Sequence, residues 1–143
     1  MKDGSPPRAH GAWRSPLPEP GNMTFTAADL PEVRRFTAAR AARAGMSAEA
    51  ADDFVIAVNE IATNAVRHGS PRAWLRLWVS GGALVAEIRD TGQWPADTVP
   101  AARPRRPAEE GGMGLDVARL VCDGMQIKAS SAGTAVLLRM ALR

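Results

Sequence analysis

Apolar positions recur at two different periods along this chain, and the change of period separates helices from strands. Leu30, Val33, Phe36, Thr37 and Arg40 follow one another at helical spacing, which predicts a helix from about Asp29 to Ala44. Pro31 is tolerated there because a first-turn N–H has no partner to lose, and Gly45 supplies the stop. Ser47 suits the cap of a second helix, with Glu49 in its positive first turn. Ala51, Phe54, Val58, Ile61 and Ala65, at steps of 3, 4, 3 and 4, form its buried stripe, and Gly69 followed by Pro71 ends it.

From residue 73 the period falls to two. Ala73, Leu75, Leu77 and Val79 face one way in a strand and Trp74, Arg76 and Trp78 the other. Ser80, Gly81 and Gly82 turn the chain into a second strand, in which Leu84, Ala86, Ile88 and Asp90 share a parity. Asp90 therefore leaves that strand on the core side. Residues 91–110, with Pro95, Pro100, Pro104 and Pro107, make a connection too long for slack and suited to a lid. Gly111, Gly112, Met113 and Gly114 open a third helix reaching about Cys122, and a hairpin closes the chain, with strands near Met125–Ser130 and Thr134–Met140. Hairpins in this number favour an α+β fold: a two-layer helix/sheet sandwich, its sheet mixed and mostly antiparallel, its helices on one face.

Ahead of these elements, residues 1–21 carry five prolines and little periodicity and read as a disordered tail, leaving 22–143 as the domain. Whether residues 22–25 add an edge strand stays open. No apolar run is long enough to span a membrane or to act as a secretory signal, and a single cysteine, Cys122, forms no internal disulfide; the expected address is the cytoplasm. Eighteen basic residues against fifteen acidic ones give a net charge of +3. The arginines are dispersed except for Arg103, Arg105 and Arg106, so no nucleic-acid footprint is evident.

Three elements carry candidate chemistry. Counting 100° per residue from Glu60 puts Asn64 about 40° and His68 about 80° round the second helix, beside an apolar stripe at roughly 100° to 180°. A carboxylate on that edge can accept a proton, and an amide oxygen can complete the shell of a magnesium ion. Either residue alone is as well read as a solvated or locally bonded side chain. Asp90-Thr91-Gly92 places a carboxylate at a strand end, where it can accept from an exocyclic amine, and Gly92 lets a base approach closely. An ordinary turn is the competing reading. The third is the glycine run before the third helix, whose free amides and positive end favour phosphate, although it follows a long loop and lacks the Walker lysine-serine pair.

Together and in this order, the three resemble the ATPase domain shared by gyrase, heat-shock chaperone, histidine kinase and mismatch-repair proteins. NEIATNAVRHG is similar to its helix-borne N box, DTG to its first glycine box and EEGGMGLDVARL to its second. The resemblance covers about residues 24–141, and within it the chain is most similar to the short bacterial anti-sigma factors with serine/threonine protein kinase activity. Carried over, it makes Glu60 the general base and Asn64 the Mg2+ ligand. Asp90 becomes the adenine contact, with Gly92 shaping its pocket, and Gly112, Gly114 and Leu115 meet the phosphates of ATP. The implied partners are a sigma factor and an anti-sigma factor antagonist. The superfamily's first glycine box often has a further glycine where this chain has Trp94, followed by Pro95, which keeps open a non-catalytic reading: an ATP-binding interaction switch. A histidine-kinase fragment is a third reading, weakened by the lack of a phosphoacceptor helix before the domain.

Other residues stay ambiguous on sequence. Arg103, Arg105 or Arg106 is either a phosphate clamp or part of a solvated loop. His68 orients Glu60 through water or caps carbonyls, and Arg67 leans to phosphate or to solvent. Trp74, Arg76 and Trp78 form an outer strand face suited to a partner, a homodimer or cover by the tail. Cys122 reads as buried filler, since no histidine stands near it in sequence.

Overall fold

The computed structural model describes residues 21–69, 71–92, 118 and 121–142. Among the described residues, two helices and five strands build the sandwich: β1 (Gly21–Phe25), α1 (Leu30–Arg43), α2 (Ala48–Asn64), β2 (Ala73–Ser80), β3 (Ala83–Asp90), β4 (Gly124–Ser130) and β5 (Gly133–Ala141). The sheet order is β1-β2-β3-β5-β4, and every described pairing is antiparallel. The expected two-layer α+β architecture is therefore present, with its sheet antiparallel throughout the described strands. β1 settles the open question about the edge, and it begins at Gly21, a residue the sequence alone assigned to the tail. The rest of that tail, most of the lid and most of the third helix lie outside the described residues.

Both helix starts follow from local chemistry. Ahead of α1 a single 3-10 turn spans Ala27–Asp29, where the Asp29 carboxylate accepts from Thr26 N–H at 2.9 Å. Pro31 then sits in the first turn of α1, and Gly45, at a φ of 89°, ends the helix in a conformation few side chains adopt. In α2 the Ser47 hydroxyl accepts from Ala50 N–H at 3.2 Å, the expected cap.

One continuous core lies between the helices and one sheet face. Phe54, Val58 and Ile61 of α2 and Val33 of α1 are buried against Phe25, Leu75, Leu77, Leu84, Ile88, Val136 and Leu138. The period-two reading fixed these faces correctly: Leu84, Ala86, Ile88 and Asp90 all point inward. Arg40 joins Val33 and Thr37 on the buried side of α1, an uncommon place for a guanidinium. Its Nε and Nη2 are buried with no hydrogen-bond acceptor among the described residues. Gly21 explains how β1 comes so near: a Cβ there would stand 2.6 Å from Phe36 Cζ and 3.2 Å from Arg40 Nε.

Candidate functional site

Helix α2 holds the first two candidates at its C-terminal end. Asn64, its last residue, is only 6% exposed, while Glu60 is half-buried. The two are thus not equivalent flanks of the apolar stripe: the carboxamide is turned in and the carboxylate stands at the rim. Asn64 Nδ2 is buried without a hydrogen-bond partner among the described residues. A buried amide left so costs on the order of 1–3 kcal/mol, an expense a bound polar group removes. Asn59 on the same helix behaves differently. Its Oδ1 accepts from Arg34 Nη1 at 3.1 Å, which ties α2 to α1.

Beyond Asn64 the chain does not continue as an α-helix. Residues Ala65–Gly69 form a π-helical turn, a local widening that recurs at functional sites. The turn corrects the position projected for His68, because counting 100° per residue no longer applies after Asn64. Within the turn Ala65 is buried, His68 half-buried and Arg67 exposed. The segment packs against β2, β3 and β5, so the end of α2 is pressed onto the centre of the sheet.

Asp90 ends β3 on that same side and is 5% exposed. Taking a carboxylate out of water is costly unless donors meet it. Gly92 N–H donates to Asp90 Oδ1 at 2.7 Å, closing a tight turn over Asp90-Thr91-Gly92. Thr134, 2% exposed, is the β5 register partner of Asp90, and its hydroxyl donates to the Gly92 carbonyl at 3.2 Å. Gly133 completes the support: a Cβ on it would stand 2.1 Å from Asp90 O. Only glycine allows this approach.

The sequence reading missed Gly133 and Thr134 as parts of this cluster. A signal existed, since a Gly-Thr pair opening the last strand falls opposite Asp90 once β3 and β5 are paired in register. That register joins Asp90 to Thr134 across a long stretch of chain and is not written locally.

A cleft of about 330 Å³ opens at this end of the sheet, lined by Asp90, Ser130, Gly133 and Thr134 and by the outer-face residues Arg89, Lys128 and Ala135. A larger one, about 510 Å³, lies mainly on the outer sheet face beside Trp74, Arg76 and Glu87, away from Glu60 and Asn64. Asn64 and Asp90 are buried on the helix side. Gly112, Gly114 and Leu115, with Arg103, Arg105 and Arg106, lie outside the described residues, so the phosphate wall expected from them is not part of this geometry.

Among the described residues no three His, Cys, Asp or Glu side chains cluster to hold a metal. The unpartnered Asn64 Nδ2–H can donate to a phosphate oxygen and the amide oxygen beside it can face a hard cation, so the residues present fit a magnesium nucleotide. Cys122 does not contribute. It is 9% exposed, and its thiol is pushed up to about 12 by burial first and then by Asp123 and Asp53, so it stays protonated and inert.

Two helices over one face of an antiparallel sheet, with polar groups at the end of α2 and of β3, define a histidine kinase-like ATPase fold. The chain belongs to the histidine kinase-like ATPase domain family, which it matches over residues 23–140. It is similar in structure to the RsbU and RsbW domains of Rv1364c from Mycobacterium tuberculosis, at 22% identity and a TM-score of 0.63 over 85% of this chain and 32% of that one. The histidine kinase domain of the blue-light activated histidine kinase from Erythrobacter litoralis EL346 gives 21% identity and a TM-score of 0.53, over 79% of this chain and 60% of that one. The histidine kinase AdeS of Acinetobacter baumannii gives 13% and 0.51, over 86% and 68%. This chain thus spans about a third of the Mycobacterium chain and 60% of the Erythrobacter one. No curated protein matches it. No helix among the described residues is long and apolar enough to cross a membrane.

Proposed function

We propose that this chain binds Mg-ATP on the helix side of its sheet and transfers phosphate to a serine or threonine of an anti-sigma factor antagonist, and that it sequesters a sigma factor when that antagonist is phosphorylated. The observation that carries the nucleotide site is a buried Asn64, its Nδ2 without a hydrogen-bond partner among the described residues, together with a buried, turn-fixed Asp90 on the same side of the sheet. The partner assignment rests on the likeness to a protein whose name includes an RsbW domain, and on the glycine boxes.

Bound Mg-ATP would supply the transferable phosphoryl group and a cation that neutralises charge on its oxygens. Within the chain, Asn64 would offer its amide oxygen to that cation. The Asp90 carboxylate, already oriented by Gly92 N–H, would accept from the amino group of adenine, while Gly92 leaves room for the ring. Glu60, at the rim where a partner's hydroxyl can reach it, would accept the hydroxyl proton as the oxygen attacks phosphorus. Gly112, Gly114 and Leu115 would line the phosphates. An added phosphate brings about −1.5 to −2 charges to the antagonist surface, enough to separate the pair and free this chain for sigma.

Incubating the full chain with labelled ATP and its cognate antagonist tests the transfer. Label moving to the antagonist, and lost in Glu60→Ala while nucleotide still binds, is the expected result. Nucleotide binding with no transfer to a verified antagonist overturns the kinase reading and leaves an ATP-dependent binding switch, the role that Trp94 and Pro95 in the first glycine box would favour.

A further inference from the structure

The sheet face turned away from the helices carries its own charge pattern. Strand pairing aligns Thr24, Trp74, Arg89, Ala135 and Lys128 in one row that crosses all five described strands. Beside it run Asn22, Arg76, Glu87 and Leu137. Of the four charged side chains in these rows three are basic, and the fourth does not neutralise them. Glu87 stands 3.9 Å from Arg76 and 3.9 Å from Arg89, too far for a hydrogen bond, so both guanidiniums keep N–H donors to offer. Lys128 is exposed on β4.

Space and an aromatic surface lie within the same rows. Trp74 is 41% exposed, which for so large an apolar ring points to a contact surface. Arg89 borders both clefts on this side: Trp74, Arg76 and Glu87 share with it the one of about 510 Å³, and Lys128 and Ala135 the one of about 330 Å³. Ala135, between Arg89 and Lys128, is short enough to leave a trough there. From Trp74 to Lys128 is three strand spacings, about 14 Å, which roughly four or five extended residues cover. An exposed tryptophan flanked by arginines is the composition that dominates binding energy in protein interfaces.

We propose that these rows bind an extended acidic segment of a partner protein, with an apolar or aromatic side chain of the segment on Trp74 and its carboxylates on Arg76, Arg89 and Lys128. Charge decides among the occupants. A second copy related by a two-fold axis would bring the same basic rows face to face, which like-charge repulsion opposes. A nucleic-acid strand matches the basic residues but meets the Glu87 carboxylate between two of them, and finds one exposed ring in place of a stacking series. A peptide brings both kinds of group: carboxylates for the basic side chains and backbone N–H donors for Glu87. The rows lie on the opposite side of the sheet from Asn64, so this site does not rest on the nucleotide reading.

The test titrates the full chain into the fluorescein-labelled peptide EEEEWEEEE and follows its anisotropy, beside the peptide KKKKWKKKK and an oligothymidylate of the same length. The wild type should bind the glutamate peptide, less tightly as salt rises. Trp74→Ala and Arg89→Glu should each weaken that binding by at least about tenfold. Arg43→Glu makes the same charge change on the exposed side of α1 and should alter it by less than about twofold. The double variant Arg89→Glu, Lys128→Glu should take up the lysine peptide instead, a reversal that misfolding does not produce. No binding of the glutamate peptide by the wild type overturns the proposal, as do equal losses in Arg43→Glu and Arg89→Glu. Tighter binding of the oligothymidylate overturns it in favour of nucleic acid. Sedimentation showing a dimer that Trp74→Ala breaks overturns it in favour of a second copy.

Discussion

Gly133 approaches Asp90 so closely that a Cβ on it would lie 2.1 Å from the Asp90 carbonyl oxygen and 2.8 Å from Thr91 Cα. Its φ of 137° is also one that side-chain-bearing residues rarely adopt. The last hairpin turn and the end of β3 are therefore held together by the absence of a side chain.

Gly133→Ala should destabilise the fold by about 2–4 kcal/mol, since backbone atoms on both sides leave the new methyl nowhere to go. Urea denaturation measures this. Where the variant still folds, nucleotide affinity should drop as well, because the Asp90-Thr91-Gly92 turn must shift to admit the methyl. A loss of less than 0.5 kcal/mol, on the order of an ordinary surface change, would contradict the backbone clash.

Much of this arrangement is legible in the sequence. The period-two pattern of residues 83–90 placed Asp90 on the core side, and the 3-4 spacing through Phe54, Val58 and Ile61 placed Glu60 and Asn64 beside the stripe. What local pattern could not carry was long-range register. The pairing of Asp90 with Thr134, the packing of Gly21 against Phe36 and the depth of Asn64 each depend on which elements meet. The π turn at Ala65–Gly69 escaped for a different reason: its residues fit a continuing helix equally well, and packing on the sheet decides between them.

Arg40 offers a test of what buried charge contributes. With Nε and Nη2 buried and lacking acceptors among the described residues, the guanidinium bears a desolvation cost that a long apolar side chain does not. Arg40→Met keeps the stem and should be neutral or stabilising by up to about 2 kcal/mol. Arg40→Ala should instead destabilise through lost packing. A clear destabilisation in the methionine variant would mean that the guanidinium has a partner beyond the described residues.

Cys122 predicts a window of pH dependence. Its folded value of about 12 lies above the ordinary 9.0, so the native state holds the proton that the unfolded chain releases. The stabilisation is complete below about pH 9 and is lost as pH rises towards 12. Comparing denaturation midpoints of the wild type and Cys122→Ala isolates this thiol from other groups. The difference between them should narrow from pH 8 to pH 11, and native protein at pH 8 should react with thiol reagents far more slowly than unfolded protein. A constant difference, or rapid native labelling, would contradict the burial argument.

The central claim is that Asn64 and Asp90 are two sides of one nucleotide site. Calorimetric titration of the full chain with ATP, with and without magnesium, tests it most directly when run beside Asp90→Asn and Asn64→Ala. The account predicts magnesium-dependent binding by the wild type and a loss of at least about tenfold, or 1.4 kcal/mol, in Asp90→Asn whether or not metal is present. Asn64→Ala should lose the dependence on magnesium while circular dichroism shows both variants folded. Equal affinity in all three proteins, or no binding by the wild type, would contradict it.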